Sequence, residues 1–171
     1  MNIESKKQPL ISFLIPTFNN EATINNCLKS LLQFKEDEIE IIIADSSSTD
    51  DTVDIINQYK SKFNITLITG LPKGIFSARL LMINKANGKY VVSLDSDDNL
   101  TANYRDIVLK LIESNKDIYI YKRTVTFLDG HDEDEKEQYT NCNDNFSKYL
   151  KRLLSTNDQN CLWNKIIKKH F

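Results

Sequence analysis

Three carboxylates stand close together directly after an apolar run near the middle of the sequence. The segment YVVSLDSDDNL passes from apolar residues to Asp95, Asp97 and Asp98. Carboxylate oxygens at this spacing can hold a hard divalent cation and leave coordination positions open for phosphate oxygens. The alternative interpretation is a solvated polar turn in which Asn99 helps to cap the next helix. The segment alone does not decide between a cation site and a turn.

The other polar segments of this kind also follow short apolar runs that predict buried strands. The four runs are LISFLIP, IEIIIAD, ITLIT and YVVSL, and the segments after them are PTFNNE, ADSSSTD, GLPKG and DSDDN. Apolar residues at helical spacing lie between and after these strands, over 21–32, from Ser48 onward, over 75–86 and over 101–114. Strand and helix therefore alternate, which predicts an α/β fold with a mostly parallel sheet and helices on both faces. Ligands of such sheets bind at the carboxyl ends of the strands, where the four polar segments lie.

The remainder of the chain has a less regular pattern. Residues 117–127 alternate as a strand does, and residues 129–138 predict an exposed acidic loop. Two further helices are predicted over 146–155 and 160–170.

Composition limits the class of protein. The chain has 171 residues, 40% of them hydrophobic and 27% charged, and a net charge of −2, which predicts one soluble globular domain without a basic surface for nucleic acid. The three cysteines form no CxxC pair, so neither a disulfide framework nor a zinc site is indicated. The sequence contains no apolar run of about 18 residues and no signal-peptide core. We therefore expect a cytoplasmic protein without a membrane span, and peripheral association with the inner face of the membrane stays open.

Three common nucleotide and hydrolase motifs are absent. The first strand is not followed by G-x-G-x-x-G, and the chain has neither a G-x-x-x-x-G-K-[ST] loop nor a G-x-S-x-G elbow. A Rossmann dinucleotide site, a P-loop and an α/β-hydrolase nucleophile are therefore not expected.

The polar segments, taken in order and at their spacing, resemble a known family. ISFLIPTFNNEATINNCLKSLL, IIIADSSSTDDT and KGIFSARLLMINKANGKYVVSLDSDD are similar to the nucleotide-sugar half of the family 2 glycosyltransferases. The resemblance implies a GT-A fold, Rossmann-like, with a βαβαβαβ N-terminal half. It divides a single domain over 1–171 into a nucleotide-sugar-binding half, 9–100, and a partial acceptor-side half, 101–171. CLWNKIIKKHF is a weaker echo of a tryptophan-asparagine-lysine segment of the same family.

The resemblance assigns roles to the carboxylates. It implies that Asp97 binds Mn²⁺ or Mg²⁺ directly, and that Asp95 contacts the ribose or a metal-bound water. It also implies that Asp45 accepts the N3–H of uracil. The family usually has Asp-Asp-Gly-Ser where this chain has Asp45-Ser46-Ser47-Ser48, so the identity of the base stays open. A helix cap is the alternative role for this loop.

Two further segments complete the expected donor site. Arg79, in KGIFSAR, can bind a diphosphate or the carboxylate beside the base through its guanidinium fork. Thr17 can bond to the base or ribose, Phe18 can stack beside the base, and Glu21 can reach the base or ribose edge. The nucleotide-sugar-binding residues implied by the resemblance are Pro16, Thr17, Phe18, Asn19, Glu21, Asp45, Gly74, Arg79, Asp95 and Ser96.

The implied reaction is transfer of a sugar, with inversion, from a nucleotide-sugar that we expect to be a UDP-sugar. The acceptor would be a glycan, a lipid-linked sugar or a cell-surface polymer. Inversion requires a general base, which the family places downstream of the tryptophan-asparagine-lysine segment. Because that segment runs to Phe171, we expect the base beyond Phe171, and Asp158 is only a weak candidate for it.

Three interpretations of the chain stay open. The first is a transferase domain truncated on its acceptor side. The second is a donor-binding fragment without turnover. The third is an adhesion-type, von Willebrand-like module, which would hold its metal at Asp45 and Ser47 rather than at Asp97.

Overall fold

The structure is a computed structural model that describes residues 7–70, 75–115, 118–120, 124–126, 132–134 and 165–169. A six-stranded sheet forms its centre. The strands are β1 (Ile11–Thr17), β2 (Ile39–Asp45), β3 (Ile65–Ile68), β4 (Tyr90–Ser93), β5 (Ile118–Ile120) and β8 (Lys165–Lys168), in the spatial order β3-β2-β1-β4-β8-β5. Strands β1 to β4 run parallel to one another, and β8 is antiparallel to both of its neighbours. The expected mostly parallel α/β sheet is confirmed.

Helices cover both faces of this sheet. They are α1 (Ile24–Ser30), which continues as a 3-10 turn over Leu31–Gln33, α2 (Thr52–Gln58), α3 (Ile75–Lys85) and α4 (Tyr104–Glu113). Helices α1, α2 and α4 pack on one face, against the odd-numbered residues of β1 and β2 and the even-numbered residues of β4. Helix α3 covers the other face, where Ala78, Met82 and Ala86 contact Leu14 and Ile42. Both faces of the central strands are therefore buried, which is why their sequences are continuously apolar.

The larger core cluster is built around aromatic and β-branched side chains. Phe13 and Tyr90 are fully buried on the neighbouring strands β1 and β4. The ring of Phe13 meets that of Phe34 edge to face at 5.3 Å, and Phe34 meets Tyr104 of α4 in the same manner at 6.4 Å. Aromatic pairs in this geometry add roughly 0.5–1.5 kcal/mol beyond their buried area. The contacts attach α4 to the centre of the sheet.

The helix predicted over 160–170 is wrong where the structure describes it. Residues Lys165–Lys168 form β8, with Ile166 opposite Val92 and Ile167 opposite Val91. Both isoleucines are buried, one on each face of the sheet. Adjacent residues of a strand point to opposite faces, so two adjacent isoleucines fit a strand that is covered on both faces. A surface helix would instead need its apolar residues on one side.

The acidic segment also differs in part from its prediction as a loop. Asp132–Asp134 form strand β7, which pairs antiparallel with β6 (Thr124–Thr126) in a separate two-stranded sheet. The strand predicted over 117–127 is confirmed over β5 and β6, which belong to different sheets. The helix predicted over 146–155 lies outside the described residues. In the part of the chain that the structure describes, no helix combines the length and apolar character of a membrane span.

Candidate functional site

The carboxyl ends of β2, β1 and β4 lie side by side at one edge of the sheet. Thr17 and Asp45 are partners in the β1–β2 register, and the Ser46 N–H donates to the Thr17 carbonyl at 3.0 Å. The loop after β4 begins on the other side of β1, where the Leu94 N–H donates to the Leu14 carbonyl at 3.0 Å. Three of the four predicted polar segments are therefore brought together. Most of the fourth, including Gly74, lies outside the described residues.

Asp45 is turned inward at the end of β2. The residue is only 2% exposed, and its carboxylate accepts the Ser48 N–H at 3.1 Å and the Ser48 hydroxyl at 2.5 Å. This arrangement corrects the prediction that Ser48 begins a helix: its hydroxyl binds Asp45, and α2 begins four residues later, at Thr52. The loop is thus closed by its own strand-terminal carboxylate, as in an Asx-type turn.

The loops after β1 and β2 are joined through Asn19. Its backbone N–H donates to Ser48 Oγ at 2.8 Å, and its side-chain oxygen accepts the Thr49 N–H at 2.9 Å. Asn19 has a φ of 49°, and Ser47 in the facing loop has a φ of 64°. Both lie in the left-handed region, which non-glycine residues enter at some cost in energy. The two loops therefore hold strained backbone at the edge where ligands of such sheets bind.

Glu21 and Asp50 form a reciprocal connection between the same loops. The Glu21 carboxylate accepts the Asp51 N–H at 3.0 Å, and the Asp50 carboxylate accepts the Glu21 N–H at 3.1 Å. Asp50 also accepts the Thr52 N–H at 3.1 Å, at the start of α2. These bonds satisfy backbone donors at the beginning of α2 that have no partner within the helix. In this structure, Glu21 therefore supports the loop framework, and its expected contact with a base or ribose stays a prediction.

Arg79 of α3 forms an ion pair with the first carboxylate of the D-x-D segment. Its Nη2 lies 2.8 Å from Asp95 Oδ1, and the two side chains are 17% and 29% exposed. The pair joins α3 to the loop after β4 through one guanidinium nitrogen, and the expected contact of Arg79 with a diphosphate or with the carboxylate beside the base stays a prediction. Arg79 Nε is buried without a hydrogen-bond partner in the described structure. The arginine therefore retains donor capacity beside Asp95.

The remaining residues of the D-x-D segment differ in exposure. Ser96 is buried, whereas Asp97 and Asp98 are exposed. The Asp97 carboxylate accepts no hydrogen bond within the described residues. Among those same residues, no three histidine, cysteine, aspartate or glutamate side chains are grouped as a metal site. The oxygen donors of Asp95 and Asp97 are of the kind that Mg²⁺ and Mn²⁺ prefer.

Cys27 lies directly beneath this acidic loop. It is buried on α1, and its Sγ lies 3.6 Å from the Asp95 carbonyl oxygen. Burial raises the pKa of the Cys27 thiol, and the nearby charges of Asp98, Asp97 and Asp95 raise it further. The thiol therefore stays protonated near neutral pH, and its pKa reflects the negative potential of the loop. No feature of the sequence identified Cys27 as a neighbour of this site.

Thr17, Phe18 and Ser93 lie at this edge with side chains that could contact a ligand. Thr17 Oγ1 and Ser93 Oγ are buried without hydrogen-bond partners in the part of the chain that is described. Phe18 is 39% exposed, whereas Pro16, two residues earlier, is buried. These positions are compatible with the ligand contacts expected for Thr17 and Phe18, which stay predictions.

The general base is not located by the structure. The weak candidate, Asp158, lies outside the described residues, and so does Phe171, beyond which the base is expected. Neither the assignment to Asp158 nor the expectation of a base downstream of Phe171 is therefore tested here, and both stay predictions.

The fold defines an α/β protein that carries a polar, acidic candidate site at the carboxyl edge of its sheet, where ligands of such sheets bind. The family model described as "Glycosyl transferase family 2" matches residues 12–170. The chain belongs to this family, and the resemblance seen in its motifs is confirmed.

Two curated relatives illustrate the range of similarity. The putative glycosyltransferase EpsH of Bacillus subtilis is 29% identical over 163 residues, which are 94% of this chain and 47% of EpsH. The Escherichia coli protein WfaP, a UDP-Glc:alpha-D-GlcNAc-diphosphoundecaprenol beta-1,3-glucosyltransferase, is 37% identical over 112 residues, 66% of this chain and 45% of WfaP. The chain thus spans about half the length of these relatives.

Solved structures of TarS from Staphylococcus aureus share the fold. TarS 1–349 in complex with UDP-GlcNAc matches with a TM-score of 0.58 and 28% identity, covering 63% of this chain and 32% of that one. The same protein in complex with UDP matches with a TM-score of 0.60. The expected GT-A architecture is therefore confirmed.

Proposed function

We propose that this chain binds a UDP-sugar at the carboxyl edge of β2, β1 and β4 and supplies the donor-binding part of an inverting glycosyltransferase. The observation that carries the proposal is the meeting of the Asp45 loop, the Thr17 loop and the Arg79–Asp95 pair at that single edge. The family to which the chain belongs supports the reaction class. Residues 9–100 form the donor half in this proposal, and residues after 100 contribute to the acceptor side.

The relatives support uridine nucleotides as donors. TarS was solved with UDP and with UDP-GlcNAc, and the name of WfaP specifies UDP-glucose and a lipid-linked acceptor. We extend these classes to this chain: a UDP-sugar donor and a glycan, lipid-linked or cell-surface acceptor. A lipid-linked acceptor would place the reaction at the inner face of the membrane, where this chain would bind peripherally.

In this proposal, different side chains at the carboxyl edge contact different parts of the donor. Thr17 and Phe18 contact the base or ribose, and Asp45 remains the acceptor for the base, since an ionised carboxylate can accept more bonds than the two it receives from Ser48. Arg79 presents its positive charge to the diphosphate while it stays paired with Asp95. These side chains bind and orient the donor rather than react with it.

The exposed carboxylates suit a divalent cation. Asp97 and the Asp95 oxygen that Arg79 does not contact would hold Mn²⁺ or Mg²⁺, with phosphate oxygens completing the coordination. The bound cation would offset the charge that develops on the departing nucleotide diphosphate. Removal of the proton from the acceptor hydroxyl requires a base on the opposite side of the sugar, and the described residues offer no side chain that we assign to it.

The adhesion-type alternative gains no support. Its metal would sit at Asp45 and Ser47 rather than at Asp97. The family match places the chain among glycosyltransferases instead.

Calorimetric titration of UDP with and without Mn²⁺ tests the proposal. We expect wild-type protein to bind UDP more tightly with Mn²⁺, and Asp97→Asn to lose this dependence. Glu36→Gln is the matched control, because Glu36 is an exposed carboxylate far along the chain from the D-x-D segment and should bind like wild type. Absence of UDP binding by folded wild-type protein, at any Mn²⁺ concentration, would overturn the assignment. If UDP binds, an assay of sugar transfer onto a lipid-linked acceptor distinguishes a complete transferase from a donor-binding fragment.

A further inference from the structure

A buried carboxylate holds the turn at the opposite end of the sheet from the candidate site. Glu40 of β2 is 4% exposed and forms no ion pair with any described residue. Its Oε1 accepts the Asn87 N–H at 2.5 Å, the Gly88 N–H at 3.0 Å and the Ser12 hydroxyl at 2.6 Å. Asn87 and Gly88 form the turn between α3 and β4, so this one carboxylate fixes the turn to both β1 and β2. A buried charge without a cationic partner is costly unless such bonds compensate it.

A lysine from a distant part of the sequence holds the end of the same helix. Lys169, which follows β8, donates from Nζ to the Ile83 carbonyl at 3.2 Å and to the Ala86 carbonyl. These carbonyls lie at the C-terminal end of α3, where the helix leaves acceptors without intrahelical partners and carries partial negative charge. The Lys169 N–H also donates to the Lys89 carbonyl at 2.9 Å, just beyond the turn. Two charged side chains, Glu40 and Lys169, therefore hold the C-terminal end of α3 and the turn that follows it. We call these two residues the clamp.

The clamped helix is the one that carries Arg79. Ala86 follows Arg79 by seven positions, a distance of about 10 Å along the helix axis. Helical side chains lean toward the N-terminus, so the Arg79 side chain extends from α3 toward the carboxyl edge of the sheet, where it meets Asp95. Asp95 is fixed from the other direction, because β4 rises from the same clamped turn. A displacement of α3 by one residue, about 1.5 Å, would break the single hydrogen bond between the two side chains.

We propose that Glu40 and Lys169 are positioning residues of the donor site: they fix α3 along its axis and so hold Arg79 against Asp95. The role of the pair in donor binding rests on the proposed function, whereas the positioning itself does not. The role of Lys169 also connects the segment KIIKK, residues 165–169, to the donor site, although this segment lies far from Asp95 in the sequence.

The first test observes Arg79 without any ligand. The Nε–H signal of Arg79 is followed by NMR and assigned by its loss in Arg79→Lys. We expect Lys169→Met to shift this signal and to speed amide exchange in α3 by on the order of tenfold, the effect of one lost charged hydrogen bond. Lys168→Met is the matched control, because the neighbouring Lys168 donates to Asn115, which follows α4. An unchanged Arg79 signal in Lys169→Met would overturn the proposal, and so would equal acceleration of exchange in α1, α2 and α3.

Glu40 is tested with a variant that keeps its shape. Glu40→Ala would leave the turn donors unsatisfied and risks unfolding the protein, so Glu40→Gln is used. We expect Glu40→Gln to change the Arg79 signal and α3 exchange in the same direction as Lys169→Met. Glu36→Gln serves as the control on the same chain segment, because Glu36 is an exposed carboxylate that precedes β2. Native amide exchange in α3 of the Glu40→Gln variant would show that Glu40 is not a positioning residue.

UDP affinity then connects the clamp to the donor site. We expect Lys169→Met to weaken UDP binding by on the order of tenfold in wild-type background and to have no further effect in Arg79→Ala. An equal loss in both backgrounds would show that Lys169 does not act through Arg79. If wild-type protein binds no UDP while the NMR response is present, the proposed function fails and the positioning of Arg79 stands.

Discussion

Arg79 and Asp95 meet at 2.8 Å although Arg79 lies on helix α3 and Asp95 follows strand β4. The pair is partly buried, so its charges are screened less than those of a surface pair. Because Asp95 Oδ2 receives no donor from the described residues, the pair can stay intact while Asp95 serves a cation. The ion pair therefore orients the carboxylate that begins the D-x-D segment.

Replacement of Arg79 by lysine should weaken UDP binding. Lysine keeps the charge but lacks the planar fork, so we expect affinity to fall on the order of tenfold, as for the loss of about 1.4 kcal/mol. Calorimetry with UDP and Mn²⁺ measures the change. Arg105→Lys is the control, because Arg105 has a similar exposure and ion-pairs with Glu38 outside the donor edge. Equal losses of affinity in the two variants would contradict a specific role for Arg79.

Glu38 should make stability depend on pH. The hydrogen bonds from Arg105 hold the pKa of Glu38 below its ordinary value, despite the opposing effect of partial burial. A lowered carboxylate pKa contributes stability that is present above the unfolded-state pKa and is lost as pH falls through the folded-state pKa. We expect Glu38→Gln to lower the free energy of unfolding by about 1–3 kcal/mol at pH 7, and by progressively less below about pH 4.

Urea denaturation of both proteins across this pH range measures the difference. Glu36→Gln should leave stability within about 0.5 kcal/mol of wild type, as expected for an exposed side chain away from such features. A Glu38→Gln deficit that is constant from pH 7 to pH 3 would assign the effect to packing rather than to charge.

Replacement of Ser47 by glycine should stabilise the folded protein. Its φ of 64° lies in the left-handed region, which costs a non-glycine residue roughly 1–2 kcal/mol. Glycine adds about 0.4–1 kcal/mol of unfolded-state entropy, so we expect Ser47→Gly to raise the free energy of unfolding by up to about 1 kcal/mol. Thermal and urea denaturation measure it. Ser61→Gly, at a position without a positive φ, should lower stability instead, and the same sign for both variants would refute the strain argument.

Gly88 should not tolerate a side chain. A Cβ there would lie 2.6 Å from the Ser12 backbone nitrogen and 2.8 Å from the Ile11 carbonyl carbon. We expect Gly88→Ala to reduce the free energy of unfolding by about 1–3 kcal/mol through overpacking. Ser12→Ala should not rescue it, because the backbone contacts remain after the hydroxyl is removed. A full rescue, measured by urea denaturation of the double variant, would mean that the hydroxyl contact alone was responsible.

The sequence predicted the fold best where apolar runs and polar segments alternate. The runs that became β1, β2 and β4 are apolar and rich in β-branched residues, and each ends in the polar residues of the candidate site. The pattern KIIKK is ambiguous, because two apolar residues between lysines fit either a helix turn or a buried strand. Its pairing with the neighbouring strands β4 and β5, both far away in the sequence, decides in favour of β8.

The same limitation applies to the site. Asp95 and Arg79 were both identified from their motifs, but their contact with each other depends on how α3 packs on the sheet. Glu40 gave no signal, because a glutamate at the start of an apolar run suggests an exposed strand end. Its partners Asn87 and Gly88 lie 47 and 48 residues away. Propensity and periodicity carry no information about such distant pairs.

The strand order also constrains how the chain assembles during synthesis. Strand β5 pairs only with β8 within the described sheet, and β8 also covers β4. Strands β1 to β4 can associate as soon as they leave the ribosome, but β4 then presents an open, apolar edge until residues 165–168 arrive. An interrupted or shortened translation product would therefore expose the Val91–Val92 edge. Such a product should be prone to aggregation and should bind chaperones that recognise extended apolar segments.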